Sequence, residues 1–144
     1  MKMKFTIAGD TIIKKNHRPI YINRATGKRF LGKSKRLSDY EDWVVVSLKE
    51  GIVDYFEGYS NLNELPKFKL FPIKEPIQIT YKFYCKTKRR VDLSNLIEAP
   101  QDCLVKADII SDDSIIERII AEKFYDKKNP RCVLFIELIG DKND

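Results

Sequence analysis

The chain has 144 residues, of which 43% are hydrophobic and 33% charged, and 16 of them are aromatic. This excludes a disordered chain and suits a single domain closing one hydrophobic core. No apolar run nears the roughly 18 residues that cross a bilayer, and the start MKMKFTIAGD is too poor in apolar residues for a secretory signal, so a cytoplasmic location and no membrane partner are expected. Cys85, Cys103 and Cys132 are odd in number and widely spaced, which argues against a disulfide framework or a structural zinc.

The formal charge of +6 is unevenly spread. Residues 1–40 carry 11 Lys and Arg against 2 Asp, a net of +9, and the remainder is net −3. A basic arm beside a more acidic body points to a polyanionic partner, although a solvated lysine-rich surface reads the same on charge alone.

In chain order, Phe5 to Ala8 alternates apolar and polar and predicts a first strand. Gly9-Asp10 breaks it, Ile12-Ile13 resumes a short strand, and Lys14 to Pro19 forms a basic loop with Lys14, Lys15 and Arg18. Ile20 to Ile22 and Lys28 to Leu31 predict a hairpin around Ala25-Thr26-Gly27. A helix follows, with Ser38 as N-cap and Glu41 completing a capping box. Tyr40, Trp43, Val44, Ser47 and Leu48 form its packing stripe, which assigns Trp43 to the core, and Gly51 ends it.

Residues 57–75 read as an irregular loop or lobe. Pro76 opens the clearest strand, with Ile77, Ile79, Tyr81, Phe83 and Cys85 facing one way and Gln78, Thr80, Lys82, Tyr84 and Lys86 the other. The basic run Lys86, Lys88, Arg89 and Arg90 then leads into Asp92. A second helix starts near Ser94 or Asn95. It places Leu96, Ala99, Cys103, Leu104 and Ala107 on one face and Asn95, Glu98 and Asp102 on the other, with Pro100 forcing either a kink or a later start. Asp112-Asp113 forms a turn. Ile115 to Phe124 and Cys132 to Ile139 read as two antiparallel strands joined by the turn Asp126 to Pro130, and residues 140–144 as a frayed tail. The expected architecture is α+β, one small domain over residues 1–144 with a mixed sheet and two main helices.

Cations that hold polyphosphate and carboxylates that hold a divalent metal are what phosphodiester hydrolysis needs. Mg²⁺ takes a few carboxylates plus waters, so a chain with one histidine is compatible with it. The same acidic residues serve equally well as turn caps (Asp92, Asp113) and as a solvated helix face (Glu98, Asp102). No Gly-rich phosphate loop, GxSxG or HExxH offers a different chemistry.

The stretch RRVDLSNLIEAPQDCLVKADIISDDSII resembles the core of the RusA family of Holliday-junction resolvases. In that family a basic segment enters Asp-x-Asp-Asn-Leu, followed by a helix, an Asp-Asp turn and an apolar strand. IAGDTIIKKN and SKRLSDYEDW are similar to the family's opening strand, its Lys-Asn loop and its first helix. The resemblance implies a RusA-like fold and a Mg²⁺-dependent endodeoxyribonuclease, with Mn²⁺ as a substitute, cutting a four-way junction at paired positions as a homodimer in a bacterial or phage setting. It matches Asp92 and Asp113 to catalytic, metal-binding carboxylates. The family's second Asp falls on Ser94 and a family Lys falls on Glu98, so the carboxylate count is kept. Glu98 is then expected to act as a catalytic and metal-binding residue, with Asp102 as a further metal ligand. Lys14, Lys15, Asn16, Arg18, Lys86, Lys88, Arg89 and Arg90 are expected to contact DNA. The rival expectation is a junction-binding protein that cuts poorly.

Overall fold

The computed structural model describes residues 2–57 and 71–140. Its elements are β1 (Lys2–Ala8), β2 (Ile20–Ile22), β3 (Arg29–Leu31), α1 (Lys35–Glu57), β4 (Ile77–Cys85), α2 (Leu93–Lys106), β5 (Ile116–Tyr125) and β6 (Arg131–Leu138). Much of the expected irregular segment at 57–75, and nearly all of the expected frayed tail, lie outside the described residues. The expected α+β class with a mixed sheet and two helices is found.

The main sheet has the order β1-β6-β4-β5. β6 is antiparallel to both β1 and β4, and β5 is parallel to β4. The last two strands therefore run in opposite directions as expected, but they do not pair with each other, because β4 lies between them. Composition explains the split. Cys132, Leu134 and Ile136 of β6 are fully buried, whereas β5 carries Glu117, Arg118, Glu122 and Lys123 and is exposed along most of its length. The apolar strand takes the interior and the charged strand the edge. The connection crosses the end of β4, where the Asp126 N–H donates to the Cys85 carbonyl at 2.9 Å.

Both helices pack on one side of the sheet. Met3, Phe5 and Ile7 of β1 share one core with Ile77, Ile79, Tyr81 and Phe83 of β4, Val44 and Leu48 of α1, and Leu96, Ala99, Cys103 and Leu104 of α2. The alternation of β1 and β4 leaves their polar residues on the opposite side. Burial holds the Cys103 thiol up at about 11 and the Cys132 thiol up at about 12, so both are unreactive near neutrality.

Helix α1 departs from its expected boundaries at both ends. It begins at Lys35, and Ser34, not Ser38, caps it by accepting from the Leu37 N–H at 3.1 Å. Glu41 completes no capping box. It turns inward and is held by Lys33 and Lys106. Gly51 does not end the helix. A Cβ there would lie 2.5 Å from a ring carbon of Phe5, so glycine lets α1 lie close to β1. Trp43 is not core but 47% exposed, and its indole N–H donates to the Ala8 carbonyl at 2.8 Å.

Helix α2 begins immediately after Asp92, with no cap from Ser94 or Asn95, and it continues through the buried Pro100. Its two faces divide as expected, with Leu96, Ala99, Cys103, Leu104 and Ala107 buried. No strand forms at Ile12-Ile13, and residues Lys14–His17 make a short 3₁₀ turn instead. The β2–β3 hairpin forms around Gly27, whose φ of 70° suits the turn.

Candidate active site

β4 delivers its basic continuation to the end of the sheet where β5, its parallel neighbour, also finishes. Ligands gather outside the carboxyl ends of parallel strands because the crossover helix starts there, with its unsatisfied N–H groups pointing outward. The segment from Lys86 to Asp92 is tied down at both ends. The Lys86 N–H donates to the Asp10 carboxylate at 3.1 Å, and the Lys123 ammonium donates to the Val91 carbonyl at 2.5 Å. Asp92 then occupies the N-cap position of α2, with φ −75° and ψ 138°. Its carbonyl accepts from the N–H groups of Asn95 and Leu96, but its carboxylate makes no capping bond.

A cleft of about 390 Å³ opens at this point, lined by Ile13, Lys15, Asn16, Arg89, Arg90, Val91, Asp92 and Asn95. It joins two basic stretches far apart in sequence, the turn at Lys14–His17 and the run at Arg89-Arg90, around one exposed carboxylate. Three of its side chains are cationic, and the positive end of α2 adds to their field.

The expected DNA-contacting residues divide into three sets. Lys15, Asn16, Arg89 and Arg90 line the cleft. Lys86, Lys88 and Arg18 are exposed nearby on the same two segments, with the Lys88 ammonium 5.0 Å from the centroid of the Tyr125 ring. Lys14 departs from expectation. Its side chain is only 9% exposed and pairs with Asp102 at 2.5 Å, so it is committed to holding its turn on α2 and does not present a charge to phosphate.

The expected acidic residues divide as well. Asp92 alone lines the cleft. Glu98 is half-buried further along α2, and Asp113 is exposed in the short 3₁₀ turn Asp113–Ile115 ahead of β5. Asp102 is occupied by Lys14. Asp112 caps the turn by accepting from the Ser114 N–H at 3.2 Å, and these bonds from Ser114 hold its carboxyl below the usual range. Among the described residues, no three of the His, Cys, Asp and Glu side chains converge as a ready-made metal cage. Mg²⁺ does not require one, because it commonly takes one or two carboxylates, several waters and the substrate's phosphates. A carboxylate with no partner among the described residues, inside an open cationic cleft, fits that mode of binding.

Sequence reading did not find Lys123, Ile13, Val91 or Asn95 as contributors to the site. Lys123 is one lysine in an exposed strand, and only the fold shows it fastening the loop before Asp92. Ile13 and Val91 form the apolar part of the cleft and read in sequence as short strand and loop residues.

The cleft sets three cationic side chains around one exposed carboxylate. Comparison with known families gives the group: the model of the family of endodeoxyribonuclease RusA matches residues 16–137. The chain belongs to the RusA endodeoxyribonuclease family, whose members resolve Holliday junctions. No curated protein matches the chain.

Proposed function

We propose that this chain is a divalent-metal-dependent endonuclease that cuts four-way DNA junctions at paired positions, with Asp92 as its central carboxylate. The observation that carries the reading is the placement of Asp92 in one cleft with Lys15, Asn16, Arg89 and Arg90. The cations position a phosphate against the carboxylate, and phosphate contacts of this kind fix register without reading sequence. Asp92 would hold Mg²⁺ or Mn²⁺ together with waters and the substrate's phosphate, and Glu98 and Asp113 lie outside the cleft lining. Asp102 drops out of the ligand set because Lys14 neutralises it. When bound, the metal would polarise the scissile phosphate and lower the pKa of its water. The start of α2 and the Lys123 anchor keep the segment carrying Asp92 in place, so that little reorganisation accompanies the reaction.

A four-way junction has two-fold symmetry, and two symmetric cuts need two sites related in the same way, so the active species is a homodimer. The β2–β3 hairpin supports it. Ile20, Ile22 and Leu31 are 65%, 59% and 64% exposed, and a two-stranded hairpin alone is marginal in water, so a second copy is the fitting cover. Light scattering of Leu31→Glu should then find monomer where the parent is dimeric.

A second reading is a junction-binding protein that cuts poorly, favoured by Ser94 where the family pattern has a carboxylate and by the lack of a three-carboxylate group among the described residues. A labelled synthetic junction and a linear duplex, each incubated with Mg²⁺ or Mn²⁺, separate the two. Paired nicks confined to the junction support the nuclease. Tight binding of the junction without nicks supports the second reading.

A further inference from the structure

The strand register collects a second cationic surface on the side of the sheet away from the helices. Pairing puts Lys2, Glu137, Gln78 and Arg118 in one row across it, then Lys4, Phe135, Thr80 and Ile120, then Thr6, Val133, Lys82 and Glu122, then Ala8, Arg131, Tyr84 and Phe124. Contacts confirm the shared face. The Tyr84 and Phe124 rings stack at 5.0 Å, and the Arg118 guanidinium donates to the Gln78 side chain at 3.0 Å. Among the described residues no element covers this face, since both helices pack on the other one. Cations lie over its rings: Arg131 is 3.7 Å from the Tyr84 centroid, and Lys2 and Lys82 are 4.9 and 5.9 Å from that of Phe135.

The four rows hold five cations against two carboxylates. A second copy packed face to face would meet that excess with its own, whereas a polyanion neutralises it. Rings on an open sheet can stack only on bases whose faces are free, and duplex DNA presents none along its length. We propose that this outer face binds single-stranded DNA, with Phe124 and Phe135 as stacking platforms and Lys82, Lys4 and Arg118 holding the backbone. It would serve unpaired strands at or near a branch point, apart from the Asp92 cleft.

The test is fluorescence anisotropy of the full chain with a labelled oligo-dT and a blunt duplex of equal length. Phe124→Ala and Phe135→Ala should each weaken oligo-dT binding roughly tenfold, with duplex binding unchanged. Lys82→Glu, which removes no apolar surface, should weaken it also and leave thermal stability at the parent value. Asp92→Asn should bind oligo-dT as the parent does, which separates this surface from the proposed cleavage site. Oligo-dT affinity unchanged in all three face variants would overturn the proposal. So would a shift of these variants from dimer to monomer in light scattering, which would give the face to a second copy.

Discussion

Two regions of this molecule treat carboxylates in opposite ways. At the packing of α1 against α2, two carboxylates are held by cations. Glu41 is buried and held by Lys33 and Lys106, and Asp102 is held by Lys14. At the start of α2, Asp92 is exposed beside three cationic side chains and, among the described residues, paired with none. A paired carboxylate has its electrostatic field satisfied within the fold. An open one in a cationic cleft keeps its field for a ligand that brings its own charge, which on the proposed function is a phosphate with its metal. The contrast separates acidic residues that support the structure from those available for chemistry, and composition alone cannot make that separation.

The most severe way to break the contrast is to remove the divalent ion. Chelation should abolish junction cleavage while leaving the far-ultraviolet circular dichroism unchanged, because among the described residues no three metal-ligating side chains cluster as a structural site. Cleavage that persists in chelator would break the account of the open region.

Disturbing the paired region should act on stability instead. Burial pushes the Glu41 carboxyl up, but the hydrogen bonds from Lys106 and Lys33 outweigh it, and the group ends below its usual value. A carboxyl depressed in the folded state contributes stability that is present above its unfolded pKa of about 4.3 and is lost as pH falls through the folded value. Glu41→Gln should therefore lower the unfolding free energy at pH 7 by about 1–3 kcal/mol and flatten its decline as the pH falls below about 5. Denaturant titrations at several pH values measure both. An unchanged pH dependence would remove Glu41 from the account.

Packing offers a control without charge. Gly51→Ala would drive a methyl group into the Phe5 ring and should destabilise by about 1–3 kcal/mol, measured by thermal unfolding, with junction affinity unaffected.

The smallest and sharpest test uses two neighbours in sequence. Lys15→Ala should weaken junction binding at every sequence, lower the salt slope by about one unit and leave stability alone. Lys14→Ala should lower stability by about 1–2 kcal/mol, discounted because Asp102 is 39% exposed, and should leave the salt slope unchanged. Equal salt slopes for the two variants would contradict the division between the regions.

Much of the fold was legible because it is written in local periodicity. The alternation of Ile77 to Cys85, the apolar face of α2 and the hairpin around Gly27 all formed where their patterns placed them. What was not legible depends on tertiary choice. The insertion of β6 between β1 and β4 follows from its greater apolar content relative to β5, a comparison that no single window contains. Trp43 lies at the margin of the stripe formed by Leu37, Tyr40, Val44 and Leu48, and the rotation of α1 on the sheet leaves its ring on the surface. Glu41 read as a capping-box partner because Ser38 lies three residues before it, until Lys33 and Lys106 arrived from other parts of the chain. The same holds at the site. The sequence reading grouped Lys14, Lys15 and Asn16 with Arg89-Arg90 and Asp92, but it did not show that Lys15 and Asn16 would line the cleft while Lys14 paired with Asp102, because that sorting is made by the fold of a single turn onto α2.

The central claim is that the unpaired carboxylate at the cleft, and not the paired one further along the same helix, is the one that acts. The most direct test compares Asp92→Asn with Asp102→Asn on a labelled four-way junction in Mg²⁺, recording cleavage rate and junction affinity for each. The account predicts that Asp92→Asn loses at least about a hundredfold in rate while still binding the junction, and that Asp102→Asn, whatever stability it loses, cuts within a few-fold of the parent. Cleavage at the parent rate by Asp92→Asn, or its loss in Asp102→Asn alone with the fold intact, would contradict it.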